Sequence, residues 1–173
     1  MILRVRMLIV DLAGLLLCLG PLSPGILAEG ATGWIPARWD GGPLEVVRRA
    51  GDKALAENAA ARQAIAQWYD PATLDLLDGT PINCLLVTFS AGAEPGVEKQ
   101  QQLLVKEYGR AARKRGIALL GLVYPGADPE VVASASDEAQ LAGLVLDGIF
   151  PDGAGFARKL EAAFRSRNSA ATV

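Results

Sequence analysis

The sequence contains no histidine and has two cysteines, Cys18 and Cys84. The absence of histidine excludes the Ser-His-Asp triad, the Cys-His pair, histidine-ligated zinc and any imidazole acid or base. Two cysteines are too few for a disulfide scaffold or a four-cysteine metal site. Cys84 lies inside an apolar run, where a buried and unreactive thiol is the simplest interpretation.

A strong charge of one sign is also lacking. The formal net charge is −2, so electrostatics do not favour a nucleic-acid partner. A phosphate-binding loop, a GxGxxG fingerprint after the first strand and a GxSxG motif are absent as well, which disfavours nucleotide binding and an α/β-hydrolase nucleophile. What the chain does have is 173 residues, 51% hydrophobic and 21% charged, enough for one domain with a buried core.

Residues 1–28 have the layout of a secretory signal peptide. Arg4 and Arg6 form a short positive region, an apolar run follows over residues 7–22, and Ala28 is a small residue at a suitable cleavage position. The run is short for a membrane-spanning helix, which needs about 20 apolar residues. We therefore predict a protein exported to the periplasm or the extracellular space.

Two alternatives concern the same segment. Asp11 interrupts the apolar run and Ile26 is a poor residue near a cleavage site, so an uncleaved N-terminal anchor is the alternative to a cleaved signal. Lipid attachment at Cys18 is disfavoured, because Leu17 stands where a bacterial lipobox has a small residue.

The rest of the chain divides into an N-terminal part, an α/β part and a tail. Residues 29–81 read as an irregular lead, a helix over 44–69 ended by Asp70-Pro71, and one more helical turn over 72–77. Residues 82–166 alternate between apolar runs and amphipathic segments. The predicted strands are 82–89, 117–124 and 143–147, the predicted helices are 97–115, 130–141 and 156–165, and residues 167–173 form a polar tail.

This alternation predicts an α/β fold with a parallel sheet built from three consecutive β-α units. Three units are fewer than the eight of a closed (β/α)8 barrel. The sequence therefore leaves two architectures open, a partial TIM-barrel-like sheet and a small open sheet.

Three segments resemble the opening strands of secreted (β/α)8 proteins of the glycoside-hydrolase type. They are residues 82–90, residues 113–123 with the Arg113-Lys-Arg-Gly-Ile sequence, and residues 141–148, which end in Leu-Asp-Gly. The resemblance covers about half of the chain, and five strands of such a barrel are absent. It implies a barrel front part that is incomplete or inactive alone, because many such families carry their catalytic carboxylates on later strands.

Functional residues of parallel sheets collect at the carboxyl ends of the strands. We predict Asp147 and Glu94 as candidate catalytic carboxylates, since glycoside hydrolysis uses a pair of them. The candidate substrate-binding residues are the strand-end side chains Tyr124, Asp128 and Asp152 and the indoles Trp34 and Trp39. No cofactor is predicted, although a divalent cation could sit among the acidic strand ends.

Each candidate also has a structural interpretation. Asp128 has the position of a helix N-cap, Asp152 could cap the following helix, and Glu94 could be a solvated loop residue. Trp34 and Trp39 could cover one end of the sheet instead of stacking on sugar rings. The basic cluster at Arg110 and residues 113–115 lies where cations complement a helix dipole.

Three functions remain open from the sequence. The first is an exported front part of a glycoside-hydrolase-like barrel, and the second is a small self-contained domain that binds a carbohydrate or another small molecule. The third is a hydrolase that works through carboxylates alone. An exposed sheet edge would favour self-association in the first case.

Overall fold

The structure is a computed structural model that describes residues 33–170, with side chains to Arg167. The α/β prediction is confirmed: a four-stranded, all-parallel sheet alternates with helices in the order β1-β2-β3-β4. The strands are β1 (Pro36–Trp39), β2 (Cys84–Ser90), β3 (Ala118–Val123) and β4 (Gly143–Leu146). The signal segment predicted for residues 1–28 lies outside the described residues.

Six α-helices and a 3₁₀ helix connect these strands within the described range. They are α1 (Pro43–Arg48), α2 (Lys53–Glu57), α3 (Ala59–Ala66), the 3₁₀ helix (Pro71–Leu77), α4 (Pro95–Lys114), α5 (Pro129–Ala139) and α6 (Gly153–Ala170). Helix α6 continues beyond Ser166 into the segment predicted as a polar tail. None of the described helices is long and apolar enough to cross a membrane.

The first strand is an addition to the three that the sequence predicts. Pro36–Trp39 pairs with β2 from Pro36 opposite Cys84 to Trp39 opposite Val87. The strand is short and begins with a proline, which lacks a backbone donor and is tolerated at a sheet edge. These features make the segment look irregular in the sequence.

The helix predicted over 44–69 is three short helices. Asp52 accepts a hydrogen bond from the backbone nitrogen of Ala54, and Asn58 accepts one from that of Ala61. Each side chain therefore caps a new helix start and competes with a continuous helix.

The sheet has two different faces. Leu85, Val87, Val123 and Leu144 belong to the main apolar core, against which the helices pack, and α4, α5 and α6 contact each other in chain order. Arg38 and its register neighbours lie on the opposite face, because side chains alternate along a strand. Because of this alternation, only every second residue of a strand can line a site on the face of Arg38.

Candidate functional site

An open cleft of about 490 Å³ lies at the carboxyl ends of β1, β3 and β4. Its lining combines two arginines, a tyrosine and one carboxylate with small loop residues. The lining residues are Arg38, Arg48, Ala91, Tyr124, Pro125, Asp147 and Gly148. This is the edge at which parallel sheets carry their ligands.

Arg38 connects three strand ends across this cleft. Its Nη2 donates to the Tyr124 hydroxyl at 3.0 Å and to Asp147 Oδ2 at 2.8 Å, and its Nε donates to Asp40 Oδ2 at 2.7 Å. Burial alone would lower the pKa of Arg38, but these acidic and phenolic partners raise it, so the guanidinium stays charged. Arg38 therefore fixes the positions of Tyr124 and Asp147 relative to β1.

Glu45 is the buried ion-pair partner of two arginines at the end of α1, Arg48 and Arg49. Its side chain is fully buried and accepts from Arg48, Arg49 and the Thr88 hydroxyl. Burial acts to raise the pKa of Glu45, but the hydrogen bonds from Arg48, Arg49 and Thr88 and the charge of Arg48 together outweigh it and hold the pKa below its usual value. Glu45 is therefore ionised, forms ion pairs with two arginines and has no proton to donate.

Tyr124 contacts both lining arginines. The Arg48 guanidinium carbon is 4.4 Å from the centre of the Tyr124 ring, a cation-π contact. Burial raises the pKa of Tyr124 to about 12, although Arg48 and Arg38 act in the opposite direction. The phenol is therefore protonated, and since its oxygen accepts from Arg38, its O–H is available as a donor.

Of the candidate residues predicted at the strand ends, the structure brings two together in the cleft and places the others elsewhere. Asp147 and Tyr124 both line the cleft. Glu94 is exposed at the start of α4 and is not among the cleft residues, so the predicted pair Asp147 and Glu94 does not share this cleft.

Asp128 and Asp152 act as local caps. Asp128 accepts from the backbone nitrogens of Glu130 and Val131, and Asp152 accepts from that of Gly155. Neither residue lines the cleft. The hydrogen bonds match the capping interpretation of both residues.

The two predicted indoles lie elsewhere. Trp39 packs on Trp68 with ring centres 5.2 Å apart, and its Nε1 donates to the Tyr108 hydroxyl at 2.8 Å, on the helix side of the sheet. Trp34 is exposed but precedes β1, at the amino end of the sheet. The cleft is at the other end, and neither indole lines it.

Sequence reasoning did not single out Glu45, Arg48 and Arg49 as site residues. Their spacing was the available signal, since residues three and four apart face the same side of a helix and can form ion pairs. The three residues belong to the segment that the sequence predicts as one long helix. Because α1 ends at Arg48, its last turn lies beside the strand ends, and Arg48 lines the cleft.

No cluster of three or more acidic or cysteine side chains that could hold a metal ion occurs in the described part of the chain. The acidic residues of the site instead pair with arginines. The cleft thus offers hydrogen-bond donors from Arg38, Arg48 and Tyr124 and one acceptor group at Asp147.

Comparisons of the chain with family models, with curated proteins and with solved structures find no match in any of the three.

Proposed function

We propose that this chain is an exported protein with the architecture of a (β/α)-barrel front part, and that its strand-end cleft binds a polyhydroxylated small molecule such as a carbohydrate. The observation that carries the proposal is the Arg38–Tyr124–Asp147 network at the carboxyl ends of three parallel strands. Planar guanidinium and carboxylate groups suit recognition of adjacent hydroxyls, because each supplies two or more directed hydrogen bonds.

Binding without cleavage is the version that the geometry favours. Glycoside hydrolysis needs two carboxyl groups about 5–9 Å apart across the scissile bond. Asp147 is the one carboxylate among the lining residues, and Glu45 is ionised and buried under its arginines. We therefore expect no glycosidase activity from this chain alone.

The resemblance to glycoside-hydrolase-type barrels supports the architecture in this proposal. Four parallel strands in chain order, with α4, α5 and α6 packed in sequence, are compatible with the opening of such a barrel. Export is proposed from the layout of residues 1–28.

Saturation-transfer NMR with cello-, malto- and xylo-oligosaccharides tests the binding proposal. We expect signal from at least one series, and a loss of affinity of about tenfold in Asp147→Ala, since it removes a charged hydrogen-bond partner. Asp75→Ala is the matched control, because Asp75 pairs with Arg115 away from the cleft. Absence of binding to every sugar would overturn the proposal, and equal affinity in Asp147→Ala would overturn the assignment of the cleft.

A further inference from the structure

We infer that the ligand of this cleft carries a carboxylate, so that its chemical class is a sugar acid such as a uronate. This inference rests on the proposed function and narrows it. The carrying observation is a pair of unused donor groups on the two lining arginines, both of which contact Tyr124.

The unused donors follow from the hydrogen bonds of the two arginines. Arg38 bonds through Nε and Nη2, and Arg48 bonds to Glu45 through the same two positions. Nη1 of each arginine has no hydrogen-bond partner among the described residues. Both side chains line the cleft and are partly exposed, at 49% for Arg38 and 31% for Arg48.

Tyr124 contacts both guanidinium groups. Its ring lies under the Arg48 guanidinium and its hydroxyl accepts from Arg38, so the two guanidinium groups are fixed to the same side chain. A carboxylate has two oxygens and a negative charge, so it can accept from each arginine and also form an ion pair with it. A neutral hydroxyl has one oxygen and no charge, so it forms no ion pair with either arginine.

The charges of the lining favour a monoanion over a dianion. Two arginines and one carboxylate, Asp147, line the cleft, and Asp147 is paired with Arg38, so the lining carries one net positive charge. Asp40 and Glu45 do not line the cleft, but each bonds to two arginines and reduces the longer-range attraction. Recognition therefore depends on the free N–H groups, and Asp147 would repel a dianion such as a phosphate monoester more strongly than it repels a carboxylate.

The test compares ligands that differ at a single group. Isothermal titration with glucuronate, glucuronamide and glucose is carried out on the full chain, with glucose 6-phosphate as the dianionic probe. We expect glucuronate to bind at least about tenfold more tightly than glucuronamide, because the amide removes the charge and keeps the shape. Galacturonate and galactose repeat the comparison for another ring stereochemistry.

Variants assign the effect to the arginines. Arg38→Gln is expected to reduce the preference for glucuronate over glucuronamide to less than about threefold, whereas Arg115→Gln, a surface arginine paired with Asp75, leaves it unchanged. The comparison of glucuronate with glucuronamide on the unmutated chain needs no variant, so a misfolded Arg38→Gln protein does not prevent the test.

The outcomes separate this inference from the proposed function. Equal binding of glucuronate and glucuronamide would overturn the carboxylate inference and leave sugar binding in place. Tighter binding of glucose 6-phosphate would replace the carboxylate by a phosphate and also overturn the inference. Absence of binding to every probe, together with failure of the neutral oligosaccharides, would overturn both.

Discussion

Glu45 is the residue on which the strand-end arginines depend. It accepts from Arg48, Arg49 and Thr88 while fully buried. We expect Glu45→Gln to lower the free energy of unfolding by about 2 kcal/mol, less than for a fully buried pair because both arginines are partly exposed. Chemical denaturation measures the change. Asp75→Asn, which breaks the exposed pair with Arg115, is the control and should cost under about 1 kcal/mol.

The same residue predicts a pH dependence. Burial opposes ionisation, but the folded-state pKa of Glu45 is lowered because the hydrogen bonds from Arg48, Arg49 and Thr88 and the charge of Arg48 together exceed the effect of burial. A lowered pKa gives stability that is present above the pKa of the unfolded chain, about 4.3 for glutamate, and that is lost as the pH falls through the folded value. Denaturation between neutral pH and the acid range should show a smaller acid-induced loss in Glu45→Gln. An identical pH profile in both proteins would contradict this assignment.

The site residues differ in how far the sequence could predict them. Asp147 and Tyr124 were predictable because they follow buried strands, and parallel strand ends meet at one edge. Glu45, Arg48 and Arg49 were not, because their role depends on where α1 ends and how it lies over the sheet. Arg38 belongs to a four-residue strand that begins with a proline and is too short to recognise by alternation.

At the scale of elements, β1 is attached to the helical layer through Trp39. The indole packs on Trp68 and donates to the Tyr108 hydroxyl, which also bonds with the hydroxyl of Thr73. The sequence leaves Trp39 open between a sugar platform and a cover, because alternation cannot be assigned before the strand is recognised. Its contacts are those of a structural residue.

This placement gives a prediction that separates structure from binding. Trp39→Phe should lower the free energy of unfolding by about 1 kcal/mol for the lost hydrogen bond and keep most of the ring packing. The affinity of the cleft for its sugar ligand should be unchanged. Denaturation and sugar titration on the same preparation measure the two effects. A loss of affinity with unchanged stability would instead indicate that the indole contacts the ligand.

At the scale of the whole molecule, the alternation of strands and helices was the most predictable property. Parallel strands joined by helices require apolar runs separated by amphipathic segments, and this pattern is visible over residues 82–166. The N-terminal part was less predictable because capping by Asp52 and Asn58 divides a continuous amphipathic pattern. Local capping competes with periodicity, and periodicity alone does not decide between one helix and three.

The described four-stranded sheet has two edge strands, β1 and β4. Strands β1 and β4 each pair with one neighbour in the described sheet, so each has one row of backbone donors and acceptors without a strand partner. Such edges pair readily with another chain. A barrel front part would share this property, because further strands close the sheet in a complete barrel.

We therefore expect concentration-dependent self-association of the chain. Sedimentation velocity over a range of concentrations should show a species larger than the monomer that becomes more abundant as the concentration rises. Thermal unfolding followed by tryptophan fluorescence should then shift to higher temperature with concentration, because association stabilises the folded state by mass action. A monomer at every concentration with one sharp, concentration-independent transition would mean that the four-stranded sheet is a self-contained domain, and it would favour the small binding domain over the barrel front part.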